Sequence, residues 1–155
     1  MGRRDYENDP AAPPANSLVP AASAVVADDE GRILLQRRVD NGMWALPGGR
    51  MEIGESLPEC VIRETREETG LDVEVVGIVG TYSNPRHVFA YDDGEVRQEL
   101  SICFLARPVG GQLAVSDEST DVRWFDPAEV DDLPMVAGVR KRVNDWRSGK
   151  MPAIG

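Results

Sequence analysis

Residues 47–54 read PGGRMEIG, three glycines and a proline in eight positions. No helix interior or central strand tolerates that density of breakers, so the chain must form a tight loop here. The loop leads into the best helix in the first half of the sequence. Ser56 and Glu59 form an S-x-x-E capping box, and Pro58 sits in the first turn, where its missing N–H costs little. Gly70 supplies the stop. Leu57, Cys60, Val61 and Thr65 recur at helical spacing and predict a modest buried stripe on a helix over Ser56–Thr69. A glycine loop feeding a capped helix is the frame that the rest of the chain must accommodate.

On both sides of that unit the pattern is strand-like. Leu18–Ala27 is apolar and β-branched, Asp28-Asp29-Glu30-Gly31 is polar, and Ile33–Arg38 resumes the strand pattern, which predicts a hairpin. Val73–Tyr82 reads as a strand, Asp92–Glu95 as a turn, and Arg97–Arg107 as a strand in which Leu100, Ile102 and Phe104 alternate with their neighbours. Asp121–Phe125 is a short strand, Asp126-Pro127 opens a helical turn, and Val136–Trp146 closes with an amphipathic helix. This order predicts an α+β fold, helices covering a mixed sheet. At 155 residues one domain is expected. We assign a disordered Pro/Ala-rich tail to 1–17, the domain to 18–148 and a short tail to 149–155.

The net charge of -10 argues against nucleic-acid polymers and anionic membranes, both of which need basic surface. Cys60, Cys103 and His87 stand too far apart in sequence to suggest a zinc set or a CxxC motif. No apolar run resembles a signal peptide or a membrane span, and a cytoplasmic protein is the expectation.

Glu64, Glu67 and Glu68 lie at i, i+3 and i+4, so their carboxylates project from about one helix face. Like charges at that spacing repel. Arg63 and Arg66 offer partial relief, Arg63 being placed to pair with Glu67, and a divalent cation would offer more. All-oxygen ligands suit Mg²⁺ or Mn²⁺. The bland alternative is a solvated acidic face balanced by arginines. The glycine loop can approach a ligand closely, and Glu55, just outside the helix, can fold back on the same site.

Gly49, Glu55, Arg63-Glu64, Glu67-Glu68, Gly70 and Leu71 together resemble the signature of the Nudix hydrolases. One position departs: Thr65 stands where the family usually has an aliphatic residue, and its β-branched body should pack there. The signature covers 23 residues, and Trp44–Gly49 and Val122–Phe125 extend the resemblance across roughly 18–148. The resemblance implies a Nudix-type α/β/α sandwich and hydrolysis of a nucleoside diphosphate linked to another moiety, with Mg²⁺ or Mn²⁺. It implies Glu67 and Glu68 as main metal ligands, Glu64 as a further ligand or the general base, and Glu55 as a direct or water-mediated ligand. The Gly48 or Gly49 carbonyl would complete the shell, and Arg63 would orient the glutamates. In this family the base often lies on a later loop, and Glu118 occupies such a loop before the Trp124 strand.

Arg37 and Arg38 point to opposite sides of a strand, and by resemblance Arg38 is the one expected at the phosphates. Tyr82, Arg86 and His87 on the following loop can stack on a base or hold a ribose or phosphate. Pro85 lies about fourteen residues beyond Leu71, near the offset of the marker proline in ADP-ribose pyrophosphatases, although a turn alone explains it. An ADP-ribose or nucleotide-sugar substrate is therefore slightly preferred. The alternatives are a triphosphate pyrophosphatase that clears damaged nucleotides and a non-catalytic nucleotide sensor. The partner is a small nucleotide, and a homodimer is compatible with the resemblance. Residues 49–71 hold six glutamates against three arginines, so this segment carries -3 of the total charge.

Overall fold

The computed structural model describes residues 2–155. Its strands are β1 (Arg3–Glu7), β2 (Ser17–Val26), β3 (Ile33–Arg38), β4 (Trp44–Ala45), β5 (Gly48–Arg50), β6 (Leu71–Tyr82), β7 (His87–Tyr91), β8 (Val96–Gly111), β9 (Ser119–Phe125) and β10 (Ala153–Ile154). The helices are α1 (Leu57–Thr69), α2 (Pro127–Val130) and α3 (Ala137–Ser148). The long β8 organises the larger sheet. It runs parallel to β2 from Ser17↔Arg97 to Val26↔Ala106, and antiparallel to β6 and β7. On the far side of β2 the short β5 pairs antiparallel, setting Gly48 opposite Ser23 and Gly49 opposite Ala22. A second sheet has the order β4-β3-β9.

β2 is buried on both faces, as a strand sandwiched between helices must be. Ala22, Ala24 and Val26 join Cys60, Val61, Leu71 and Phe104 in the core beneath α1. Val25 joins Val79, Cys103 and Val143 in the core on the opposite face, with Trp146 of α3 packed against it. The result is the expected α/β/α sandwich with a mixed sheet.

The predicted hairpin between β2 and β3 is corrected. Only a single bridge, Ala27↔Ile33, joins them, and the two strands enter different sheets. The Asp28 carboxylate accepts from the Glu30 and Arg32 amides, which closes the intervening turn locally and sends the chain away from β2. Both expected tails also contain ordered strands. β1 pairs antiparallel with β7 from Arg3↔Tyr91 to Glu7↔His87, and β10 pairs parallel with β6 at Ala153↔Gly80. A Pro/Ala-rich composition carries no sign of these pairings, because an edge strand gains its stability from a partner's free N–H and C=O groups rather than from its own side chains.

Candidate functional site

The α1 helix begins where the sequence predicts. Ser56 caps it, with Glu59 donating its amide to the Ser56 hydroxyl and the Ser56 amide donating to the Glu59 carboxylate. Gly70 closes it at φ 82°, a left-handed conformation that favours glycine. Cys60, Val61, Thr65, Glu68 and Thr69 are the buried positions. Thr65, the departure from the signature, is fully buried, and its hydroxyl donates to the Val61 carbonyl at 2.7 Å. A satisfied hydroxyl removes most of the penalty of a polar atom in the core.

With one face of α1 anchored in the core, Glu64, Glu67 and Glu68 emerge beside the glycine loop. Glu68 is only 4% exposed. Its carboxylate accepts from the Gln36 amide at 2.5 Å and from the Gly48 N–H at 2.9 Å. Burial pushes its pKa up to about 8, against the pull of those two hydrogen bonds. Burial also raises Glu64, and Arg63 opposes the rise. The Glu64 carboxylate lies flat against Gly49, where a Cβ would stand only 2.6–2.8 Å from it. A side chain at 49 would therefore displace the Glu64 carboxylate, whereas Gly48 is required by the close approach of the β2 backbone at Ala22 and Ser23.

Arg63 sits at the centre of the acidic group. It donates to Glu55 through two nitrogens at 2.8 and 3.0 Å, to Glu64 at 2.9 Å and to Glu67 at 3.2 Å. The predicted Arg63–Glu67 pair is present. Glu55 is held by Arg63 and by the Glu52 amide, which keeps its carboxyl well below the usual range, at about 2. The Gly49 carbonyl accepts from the Cys60 thiol at 3.6 Å.

These side chains border a cleft of about 330 Å³. Arg63, Glu64, Glu67 and Glu68 form its helix side, and Glu118 faces them from the loop before β9. Glu52 and Asp117 line the same cleft. Glu55, paired with Arg63, does not line it. Among the described residues, no three acidic, histidine or cysteine side chains close on one point as a finished cation site. Arg63 explains the spacing, because its guanidinium holds Glu64 and Glu67 to itself. The donor set nevertheless fits a hard divalent cation. It is all oxygen, and the Glu67 side chain is 60% exposed and free to turn.

A larger cavity of about 640 Å³ includes Gly48 and Gly49 in its wall. The glutamates of α1 and Glu118 line the smaller hollow, and the larger one offers room for the body of a ligand. Arg38 opens onto the larger cavity and is paired with Asp40 at 2.7 Å. Tyr82 and His87 line it too, whereas Arg86 sits outside it on an exposed turn fastened by Asn84. Tyr82 donates to Asp145 at 2.8 Å, tying β6 to α3. Of the tryptophans, Trp44 is buried in the core and Trp124 packs at its edge.

Sequence reasoning missed Gln36, which orients Glu68. One signal was present: a lone amide at the end of Ile33-Leu34-Leu35, in a strand buried at all four positions. It also missed Arg3, Asp5, Glu7 and Glu99, all on the larger cavity. Nothing local marks them, because β1 reaches the cavity only by pairing with β7.

Comparison with known proteins agrees with this geometry. The model of the NUDIX domain matches residues 17–146. A MutT-like protein of Streptomyces ambofaciens is 40% identical over 118 residues, covering 76% of this chain and 69% of that protein. An ADP-ribose pyrophosphatase of Methanocaldococcus jannaschii is 34% identical over 131 residues, covering 80% and 72%. Among solved structures, a NUDIX hydrolase from Nitrosomonas europaea superposes with a TM-score of 0.71 at 23% identity, covering 90% of this chain and 77% of that one. With the domain match spanning the glycine loop, α1 and the Glu118 loop together, the chain belongs to the NUDIX family and is a hydrolase of pyrophosphate bonds.

Proposed function

We propose that this enzyme cleaves the pyrophosphate of a nucleoside diphosphate linked to another moiety, with an ADP-ribose or nucleotide-sugar type preferred, and that it does so with Mg²⁺ or Mn²⁺. The observation that carries this reading is the opening of Glu64, Glu67, Glu68 and Glu118 onto one cleft beside the Gly48–Gly49 loop. The relative's name, ADP-ribose pyrophosphatase, favours the substrate class, and a cavity of about 640 Å³ leaves room for a second moiety beyond the phosphates.

Glu67 and Glu68 would hold the cation, with Glu64 as a further ligand from the same cleft wall and the Gly49 carbonyl reaching it from the neighbouring cavity. A divalent cation held there would supply neutralisation of pyrophosphate charge and a lowered pKa for water. Arg63 aligns Glu64 and Glu67, and Glu55 acts by fixing Arg63. Arg38 meets the phosphates from the cavity side, and Tyr82 and His87 border the remainder of the substrate. Arg86 takes part only if its exposed turn folds inward. Glu118 receives the proton of the attacking water from the face opposite α1.

The test is a panel of nucleoside diphosphate derivatives and nucleoside triphosphates, assayed with Mg²⁺ and with Mn²⁺ and scored by product. Two monophosphate products from ADP-ribose are expected. Inorganic pyrophosphate from triphosphates alone would transfer the assignment to the triphosphate class. Glu67→Gln should abolish turnover and leave the thermal transition in place. Full activity in that variant would remove the metal-site reading.

A further inference from the structure

Of the three carboxylate side chains on the larger cavity, Asp5 pairs with Arg3 and Glu7 ends the exposed β1, which leaves Glu99 as the half-buried one. Glu99 lies on β8 opposite Val19 of β2, and its side chain shares the cavity with Ser101, two residues on along the same strand face. His87 and Phe89 of β7 form the adjoining wall, their rings 4.5 Å apart.

Three arginines stand near enough to influence Glu99, and each is committed elsewhere. Arg3 pairs with Asp5 at 2.9 Å and lies over the Phe89 ring. Arg97 pairs with Glu95 at 2.9 Å and donates to the Tyr91 hydroxyl. Arg142 donates to the Gly138 carbonyl and lies over the Tyr82 ring. Burial raises Glu99, and the pull of Arg97, Arg3, Arg142 and His87 only partly offsets it. Among the described residues none donates a hydrogen bond to its carboxylate. Its oxygens are not sealed away among the buried unpartnered atoms, so the carboxylate is open to the cavity and free to accept from a ligand there.

We propose that Glu99 is a specificity-determining residue, which accepts hydrogen bonds from neutral donors on the nucleoside part of the substrate, remote from the pyrophosphate. This rests on the pyrophosphatase reading of the acidic cleft. A carboxylate repels phosphate, so the phosphates lie toward Arg38 and the glycine loop, and the group beside Glu99 is uncharged and rich in N–H or O–H. Two sources supply such donors, the ribose hydroxyls and the exocyclic amine of the base.

The test measures binding of AMP, 2′,3′-dideoxy-AMP and purine riboside monophosphate by calorimetry in Mg²⁺ buffer, so it needs no turnover and stands apart from the activity panel. Glu99→Met keeps the length of the side chain and removes the acceptor. It should weaken AMP binding by about tenfold or more, as the loss of a charged acceptor does. The loss should shrink below about threefold for the analogue that lacks the responsible donor. Loss of coupling with 2′,3′-dideoxy-AMP identifies the ribose, and with purine riboside monophosphate the amine. Glu99→Gln, which retains one acceptor, should lie between. The melting temperature of Glu99→Met should equal or exceed that of the wild type, whereas removal of a residue with a structural role would lower it. Equal losses for all three nucleotides, AMP binding within about threefold of wild type, or no AMP binding by the wild type would each overturn the proposal.

Discussion

Glu68 is surrounded by the β3 strand, the glycine loop and the core, and in the metal-free protein this makes it a proton carrier up to about pH 8. The unfolded chain releases that proton near the ordinary 4.5. Between these values the folded state binds the additional proton. The contribution is therefore fully present below about pH 4.5 and is lost as pH rises through about 8. Urea unfolding in EDTA should show the wild type losing on the order of 5 kcal/mol across that window relative to Glu68→Gln. Parallel pH profiles for the two proteins would mean that Glu68 is solvated and ionised throughout. Glu118 faces the same cleft from a different loop. Glu118→Gln should reduce kcat by about a hundredfold with the fold unchanged if it is the base. A reduction below about threefold would return proton transfer to Glu64.

Among the elements, α1 and β1 contrast. The helix carries its own boundaries, the Ser56 capping box and the Gly70 terminus, so it is legible from residues within two turns of each end. β1 has no boundary signal and contributes no residue to either core, and only Tyr6 in it is even half-buried. It nevertheless walls the larger cavity with Arg3, Asp5 and Glu7. Deleting residues 1–8 should alter unfolding free energy by less than about 1 kcal/mol. It should raise KM several-fold with kcat unchanged, the signature of lost uniform binding. A collapse in stability would show that β1 covers the β7 edge as a structural part of the sheet.

Across the chain as a whole, the surplus of negative charge turns from a general property into a local one. Several acidic groups share one cleft with a single arginine among them, Arg63. A cation entering there relieves repulsion that Arg63 relieves only in part, so metal and fold are linked. At a Mg²⁺ concentration a hundred times its dissociation constant, stabilisation of about 2.7 kcal/mol is expected. Calorimetric scanning should show the melting temperature rising with Mg²⁺ in the wild type and remaining level in Glu67→Gln. A rise of equal size in both would indicate that the ion acts elsewhere on the acidic surface.

The glycine loop, the capped helix, the spacing of the glutamates and the family are all readable from the order of the amino acids. They are written in contiguous residues, where helical periodicity and backbone restrictions act over a few positions. Two other features exist only in the folded chain: Gln36 of β3 donates to Glu68 of α1, and Glu99 shares a cavity with Arg3 from the start of the chain. Those juxtapositions arise from helix-on-sheet packing and strand pairing between distant segments, and both are set by register and burial in the assembled fold rather than by any local run of residues.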